Sequence, residues 1–263
     1  MKMRKNDSSV SANSLFHFTK SMDNLIGILK NSFCPHYCIE DYTIMFGNRK
    51  EKYRLKIPMV CFCDLPLFNI NKHIKTYGSY GIGLSKEWGV KNGVSPVLYI
   101  RKDTKINNII KTTLNILNKQ KNCGNHGEAI KAQNSEQGLL SFIKPYEGKL
   151  KREDKIKRVR FYDEREWRYV PKVENDLPWA IAAETYNSGS VDDLYNGALS
   201  QKHKLDFEPE DIKYLIINDE TEILPLIRKI EMIKGHFGSD AVKILTTRII
   251  TIKQIREDYG VDI

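Results

Sequence analysis

Apolar residues change their spacing along this chain, and each change marks an element. "SLFHFTKSMDNLIGILKNSF" opens with a short alternating run, Leu15 to Phe18, which predicts a strand. It then turns to helical spacing at Leu25, Ile28 and Leu29, with Ser21 or Asp23 placed to cap the helix. "KIPMVCFCDLPL" is apolar and β-leaning until Asp64 and Pro66 end it. "FNINKHIKTYG" suits a short helix stopped by Gly78. "YGIGL" and "PVLYI" predict two further strands on either side of the turn "SKEWG". The glycines of "YGIGL" suit close packing, and their spacing is not that of a phosphate-binding loop.

Residues 101 to about 157 are rich in Lys and Asn, and "NNIIKTTLNILNK" with "GNHGEAIKAQNSEQGLLSFIK" predicts a helical layer with loops. Residues 171–210 read as mostly polar and irregular. Order returns with the strand "IKYLIIN", the helix "ETEILPLIRKIEMIKG" with Pro225 early in it, and the strand "VKILTTRIITI". Strand signals at 15–18, 58–63, 80–84, 96–100, 158–170, 212–217 and 243–251 do not alternate regularly with helices, which argues against a doubly wound parallel sheet. The expected fold class is α+β, a mixed, mainly antiparallel sheet with flanking helices. With no repeat and no long linker, the expected organisation is a polar tail over 1–13 and a single domain over 14–263, carrying a helical insertion at about 101–157.

The segment "RVRFYDEREWRYVP", residues 158–171, reads as one strand with two unlike faces. One carries Val159, Phe161, Trp167 and Tyr169, interrupted by Asp163 and Arg165; the other carries Arg158, Arg160, Tyr162, Glu164, Glu166 and Arg168. The first is expected in the core, leaving the charged face to floor a cleft.

Charge adds a class of partner. The 42 Lys and Arg against 33 Asp and Glu leave a net charge of +9, which favours nucleic acid, with Lys149 to Arg160 as the leading contact. A Lys-rich proteome accounts for the same excess equally well. No run of about 18 apolar residues is present, so no membrane span is expected. "MKMRKNDSSVSANS" lacks the apolar centre of a secretory signal, and the five cysteines are an odd number. Both point to a cytoplasmic protein with reduced thiols. Cys34, His36 and Cys38, with Cys61 and Cys63, supply soft ligands, yet C-x₃-C and C-x-C are not the usual zinc spacings. Buried thiols are the expectation, and no metal.

Three stretches embed polar or aromatic residues in strand-like surroundings. His17 and Thr19 share a face of the first strand, where an imidazole and a hydroxyl can bind a sugar or amide; a histidine satisfied within the fold reads the same way. Tyr77 and Tyr80 can stack on a planar cationic ring or pack in the core. Glu164 and Glu166, one pleat apart, suit a reaction with an oxocarbenium-like transition state; a ladder of ion pairs with Arg158, Arg160 and Arg168 is the other reading.

The ordered combination "CFCDLP…H…YGSYGIGLSKEWG…PVLYI" with a downstream "EREWR" resembles the bacterial abortive phage-resistance protein AbiGi family, over about residues 14–170. The order His, aromatic, E-x-E also resembles, more distantly, the ADP-ribosyltransferases. That resemblance implies an ADP-ribosyltransferase-like fold with NAD as substrate. It implies His17 on the adenosine-side ribose, Tyr80 or else Tyr77 facing nicotinamide, Glu166 as the catalytic carboxylate and Glu164 orienting the acceptor. Arg168 would hold phosphate through its planar fork. AbiGi proteins are also described as the antitoxin half of a phage-defence pair. Two functions therefore follow: an NAD-dependent mono-ADP-ribosyltransferase in phage defence, with nucleic acid as a candidate acceptor, or a non-catalytic antitoxin or binding module that engages a partner toxin or nucleic acid. Convergence of His17, a tyrosine and Glu166 on one cleft favours the enzyme, and Glu166 paired to Arg158 or Arg168 with no cleft favours the binding module.

Overall fold

The structure, a computed structural model, describes residues 12–47, 53–123, 125–152, 155–173, 177–184 and 189–259; residues 1–11 of the polar tail lie outside them. Its strands are β1 (Ser14–Thr19), β2 (His36–Asp41), β3 (Arg54–Cys63), β4 (Tyr80–Ser85), β5 (Ser95–Pro96), β6 (Leu98–Ile100), β7 (Ile143–Pro145), β8 (Gly148–Arg152), β9 (Lys155–Val159), β10 (Glu166–Tyr169), β11 (Ile181–Ala182), β12 (Ile212–Ile217) and β13 (Ile249–Thr251). Its helices are α1 (Met22–Asn31), α2 (Thr43–Phe46), α3 (Asn71–Tyr77), α4 (Lys86–Lys91), α5 (Lys105–Cys123), α6 (His126–Ser141), α7 (Gly189–Lys202), α8 (Ile223–Lys234), α9 (Ser239–Thr246) and α10 (Ile252–Tyr259). The class is α+β with a mixed, mainly antiparallel sheet: β12–β13 and β6–β7 run parallel, while β1–β4, β2–β3 and β10–β5 run antiparallel. Among the described residues no helix is long and apolar enough to cross a membrane.

Packing divides the chain into two compact units, one of residues up to Phe33, Cys61–Val94 and Leu205 onward, the other of Cys34–Val60 and Ser95–Lys204. In the first unit β4 lies between β1 and β12, in register from Ser14↔Ser85 to Thr19↔Tyr80 on one side. The apolar residues of these strands, among them Leu15, Ile82, Leu84 and Leu215, are fully buried. Helix α1 starts where the Ser21 hydroxyl accepts the Asn24 N–H, and it buries Leu25 and Leu29. Helix α8 carries Pro225 in its first turn, where a missing N–H costs nothing.

In the second unit β3 pairs with β2 and with β11, and β10 pairs with β5. Helices α5 and α6 pack together, and Asn125 and Glu128 form a reciprocal capping box that starts α6. The Tyr42 hydroxyl donates to the Leu140 carbonyl, 2.6 Å away, and ties the chain before α2 to the end of α6.

Three stretches differ from expectation. Residues 158–171 are not one strand: β9 ends at Val159, a 3₁₀ turn spans Phe161–Glu164, Arg165 takes a left-handed conformation (φ 44°), and β10 begins at Glu166. Of "VKILTTRIITI", the first part, Val242 to Thr246, belongs to helix α9 and only Ile249–Thr251 is strand, because Val242 and Leu245 bury one helical face. The polar region after residue 171 contains helix α7, and the region before 157 adds β7, β8 and part of β9 to its helices. The basic run forms the β8–β9 hairpin, with residues 153 and 154 outside the described ones.

Gly78 stops α3 at φ 117°, and a Cβ there would stand 2.2 Å from the Thr19 carbonyl oxygen. Gly78→Ala is therefore expected to cost about 2 kcal/mol or more in a urea titration. Gly93→Ala, also at positive φ but in open space, is expected to cost less, about 1 kcal/mol. Equal losses would remove close approach to β1 as the reason for Gly78.

Candidate functional site

The first unit holds His17, Thr19, Tyr77 and Tyr80. His17 and Thr19 point to one face of β1 by alternation, and Tyr80, opposite Thr19, shares that face. Phe16 and Phe18 point the other way, and Tyr77 packs against their cluster with its ring 5.3 Å from His73. The fold thus separates the two tyrosines that the sequence left open. His17 Nδ1 is 2.8 Å from the Cys61 carbonyl oxygen, and the ring meets Phe33 and Phe62 edge-on. The Tyr80 hydroxyl donates to Glu222 and accepts from the Asn218 amide, each at 2.6 Å. That donation to Glu222 is the main reason its phenol is pushed up to about 12.

The second unit holds Glu164, Glu166 and Arg168, and it builds a charge network on them. Side chains along β10 alternate, and the buried positions are Glu166 and Arg168 while Trp167 and Tyr169 are half-buried. Strand β2 shows the same inversion, with Glu40 buried and Ile39 exposed. The expectation that the charged face stays out of the core is thereby corrected. Arg168 has no exposed surface. Its Nε donates to Glu166 Oε1 at 2.6 Å, its Nη2 to Glu40 Oε1 at 2.8 Å and to Glu166 Oε2 at 3.3 Å. Its Nη1 donates to the carbonyl of Ser141, the last residue of α6, at 3.0 Å. A cation there satisfies a terminal carbonyl and faces the negative end of the helix.

Lys144 completes the arrangement from β7. Its Nζ lies 2.7 Å from Glu166 Oε2 and 2.9 Å from Glu164 Oε2, and 5.1 Å from the centre of the Phe161 ring. The two carboxylates do meet, as expected, but through a turn and the left-handed Arg165 rather than across one pleat. The backbone N–H of Glu166 donates to the Tyr99 hydroxyl at 2.9 Å. Arg158 and Arg160 take no part: Arg158 pairs with Glu147 and Arg160 with Asp163.

Burial works against every charge here, and pairing outweighs it. Burial alone would raise the Glu166 carboxyl, yet Arg168 and Lys144 hold it well below the usual carboxylate range. Burial alone would lower Lys144, yet Glu166, Glu40 and Glu164 hold it well above its ordinary value. The Cys38 thiol is pushed up to about 11, first by burial and then by Glu40. At neutral pH it is held as a protonated thiol. Among the described residues no three His, Cys, Asp or Glu side chains are placed to hold a metal ion.

Sequence reasoning missed Glu40, Tyr99 and Lys144. The available signals were a Glu inside "HYCIED" and a lone Lys inside the apolar "LLSFIKP". Charges inside strand-like apolar runs are costly to bury alone and so imply partners.

Comparison with known proteins gives two matches. A family model for the abortive phage resistance protein AbiGi, antitoxin, matches residues 31–218. An abortive phage resistance protein AbiGi of Lactococcus lactis subsp. cremoris is 29% identical over 258 residues, covering 87% of this chain and 100% of that protein. No solved structure matches the chain, so the likeness to ADP-ribosyltransferases rests on the order of residues alone.

Removing one partner from the network leaves uncompensated buried charge. Arg168→Met, which takes the guanidinium from Glu40 and leaves Glu166 with Lys144, is expected to cost about 3–5 kcal/mol by urea titration. A loss under about 1 kcal/mol would mean that solvent screens the pair. The pH dependence has a definite sign. A carboxylate with a depressed folded-state pKa stabilises above its unfolded value, near pH 4.3 for Glu, and that stability is lost as pH falls toward the folded value. Urea midpoints of Glu166→Gln should lie below wild type at pH 7 and fall less steeply below about pH 5. Parallel curves would remove Glu166 from the acid response.

Proposed function

The chain belongs to the AbiGi family of abortive phage resistance proteins, and from that premise we propose that it is the antitoxin half of a defence pair, binding and silencing a toxin without chemistry of its own. The observation that supports this is the state of Glu166. A carboxylate that stabilises an oxocarbenium-like ribose must present negative charge to substrate. Glu166 is 6% exposed, and both its oxygens are engaged by Arg168 and Lys144. Lys144 likewise occupies Glu164, the residue that would orient an acceptor. As they stand, these residues do not fit NAD, and their arrangement favours holding a surface in shape over turning over a substrate.

Binding also suits the net charge of +9, which attracts an acidic partner and speeds encounter with it. Co-expression with the toxin half of the pair is expected to restore growth, and a stable complex is expected on size-exclusion chromatography. The purified chain, given labelled NAD with lysate, RNA or DNA, is expected to release no nicotinamide and transfer no label. Nicotinamide release that Glu166→Gln abolishes, with fold retained by circular dichroism, would overturn the antitoxin reading in favour of ADP-ribosyl transfer. Failure of co-expression to restore growth would also overturn it.

A further inference from the structure

Helix α5 buries one apolar face and leaves a second one bare. Ile110 and Leu114 are buried. Turned about a quarter of the way round the helix, a second stripe stands in solvent. Ile106 is 46% exposed, Ile109 60% and Ile116 52%, and Thr113 lies between the last two. Positions 106, 109, 113 and 116 follow the three-four-three spacing of a helix–helix seam. A solvated helix face gains nothing from isoleucine. It is a poorer helix former than Lys, Glu or Gln, and it leaves apolar area in water.

The charges on the helix say what would cover the stripe. Helix α5 contains Lys105, Lys111, Lys119 and Lys121 and no acidic residue. Lys121 is held by Glu136 of α6. Lys105 and Lys119 are exposed, and their separation of fourteen residues, about four turns, puts them on one line along the edge of the stripe. They stand where flanking charges select the partner in helix pairing. We propose that this stripe of α5 is the docking face for an acidic amphipathic helix of the toxin; the proposal rests on the antitoxin reading and names the chemistry of its partner.

Other occupants fit less well. A second copy meeting through the same stripe would set lysine against lysine. Nucleic acid would use the lysines and leave the isoleucines uncovered. A lipid surface imposes no seam spacing, and α5 has none of the Trp or Phe that anchor interfacial helices.

The test uses the full chain and two synthetic helical peptides with leucine at the seam positions. One carries Glu at the flanking positions and the other Lys. Fluorescence anisotropy is expected to show the Glu peptide binding at least tenfold more tightly than the Lys peptide. Ile109→Gln with Ile116→Gln is expected to abolish binding without changing helix content or melting temperature. Lys105→Glu with Lys119→Glu is expected to reverse the peptide preference. Equal binding of both peptides, or binding indifferent to the isoleucines, overturns the proposal. So does a concentration-dependent dimer, or binding to phosphatidylserine vesicles, that the isoleucine changes abolish. Growth rescue separates this from the parent reading. If wild type rescues and the isoleucine variant rescues equally, the docking face is overturned and the antitoxin reading stands. If wild type does not rescue while the peptide results hold, the antitoxin reading fails and the acidic-helix docking face stands.

Discussion

A guanidinium with no exposed surface needs acceptors on every side, and the second unit is built to supply them to Arg168. The neighbour two residues back on the same strand, Glu166, provides one carboxylate, and Glu40 of β2 provides another. The last carbonyl of α6 provides the third acceptor. Lys144 then takes up the second oxygen of Glu166 and draws in Glu164. Residues 40, 141, 144, 164, 166 and 168 come from segments far apart in the chain, so the network forms only when all of them are in place. Any other packing leaves a buried charge unpaired, and that penalty is larger than the net gain of the correct pairing. The network therefore selects one arrangement of β2, β7, β10 and α6 more than it adds stability.

The same electrostatics bear on chemistry. Carboxylates that do acid–base work are tuned toward the operating pH, usually by burial without a compensating cation. Glu166 is tuned the opposite way: two cations keep it ionised. The second unit buries this charge network, and on α5, the helix packed against α6, it leaves Ile106, Ile109 and Ile116 exposed.

Much of the fold was legible locally. The strands β1, β4 and β12, the Ser21 cap of α1, the Gly78 stop of α3 and the early Pro225 of α8 all follow from spacing and backbone chemistry within a few residues. The closeness of Glu164 and Glu166 was legible too, as was the pairing of Glu166 with Arg168, within a ladder reading that also named Arg158 and Arg160. Their partners Glu40 and Lys144 were not, because a single charge in an apolar run signals that a partner is needed but not which remote residue it is.

What the sequence determined by itself was the period of segments such as β1, α1, β4 and β12 and the signals that start and stop them, since these depend on dihedral preferences and neighbours along the chain. Which face of a strand is buried is different. In β10 either face can go inside: Trp167 and Tyr169 gain from burial, and Glu166 and Arg168 can be buried only if distant residues neutralise them. Tertiary structure supplied Glu40 and Lys144 and decided for the charged face. It likewise put Tyr80 on the face of His17 and Tyr77 on the other, and made the first part of an expected strand, Val242 to Thr246, into α9. These choices turn on free energies that exist only once remote segments meet, where pairing and packing outweigh local preference.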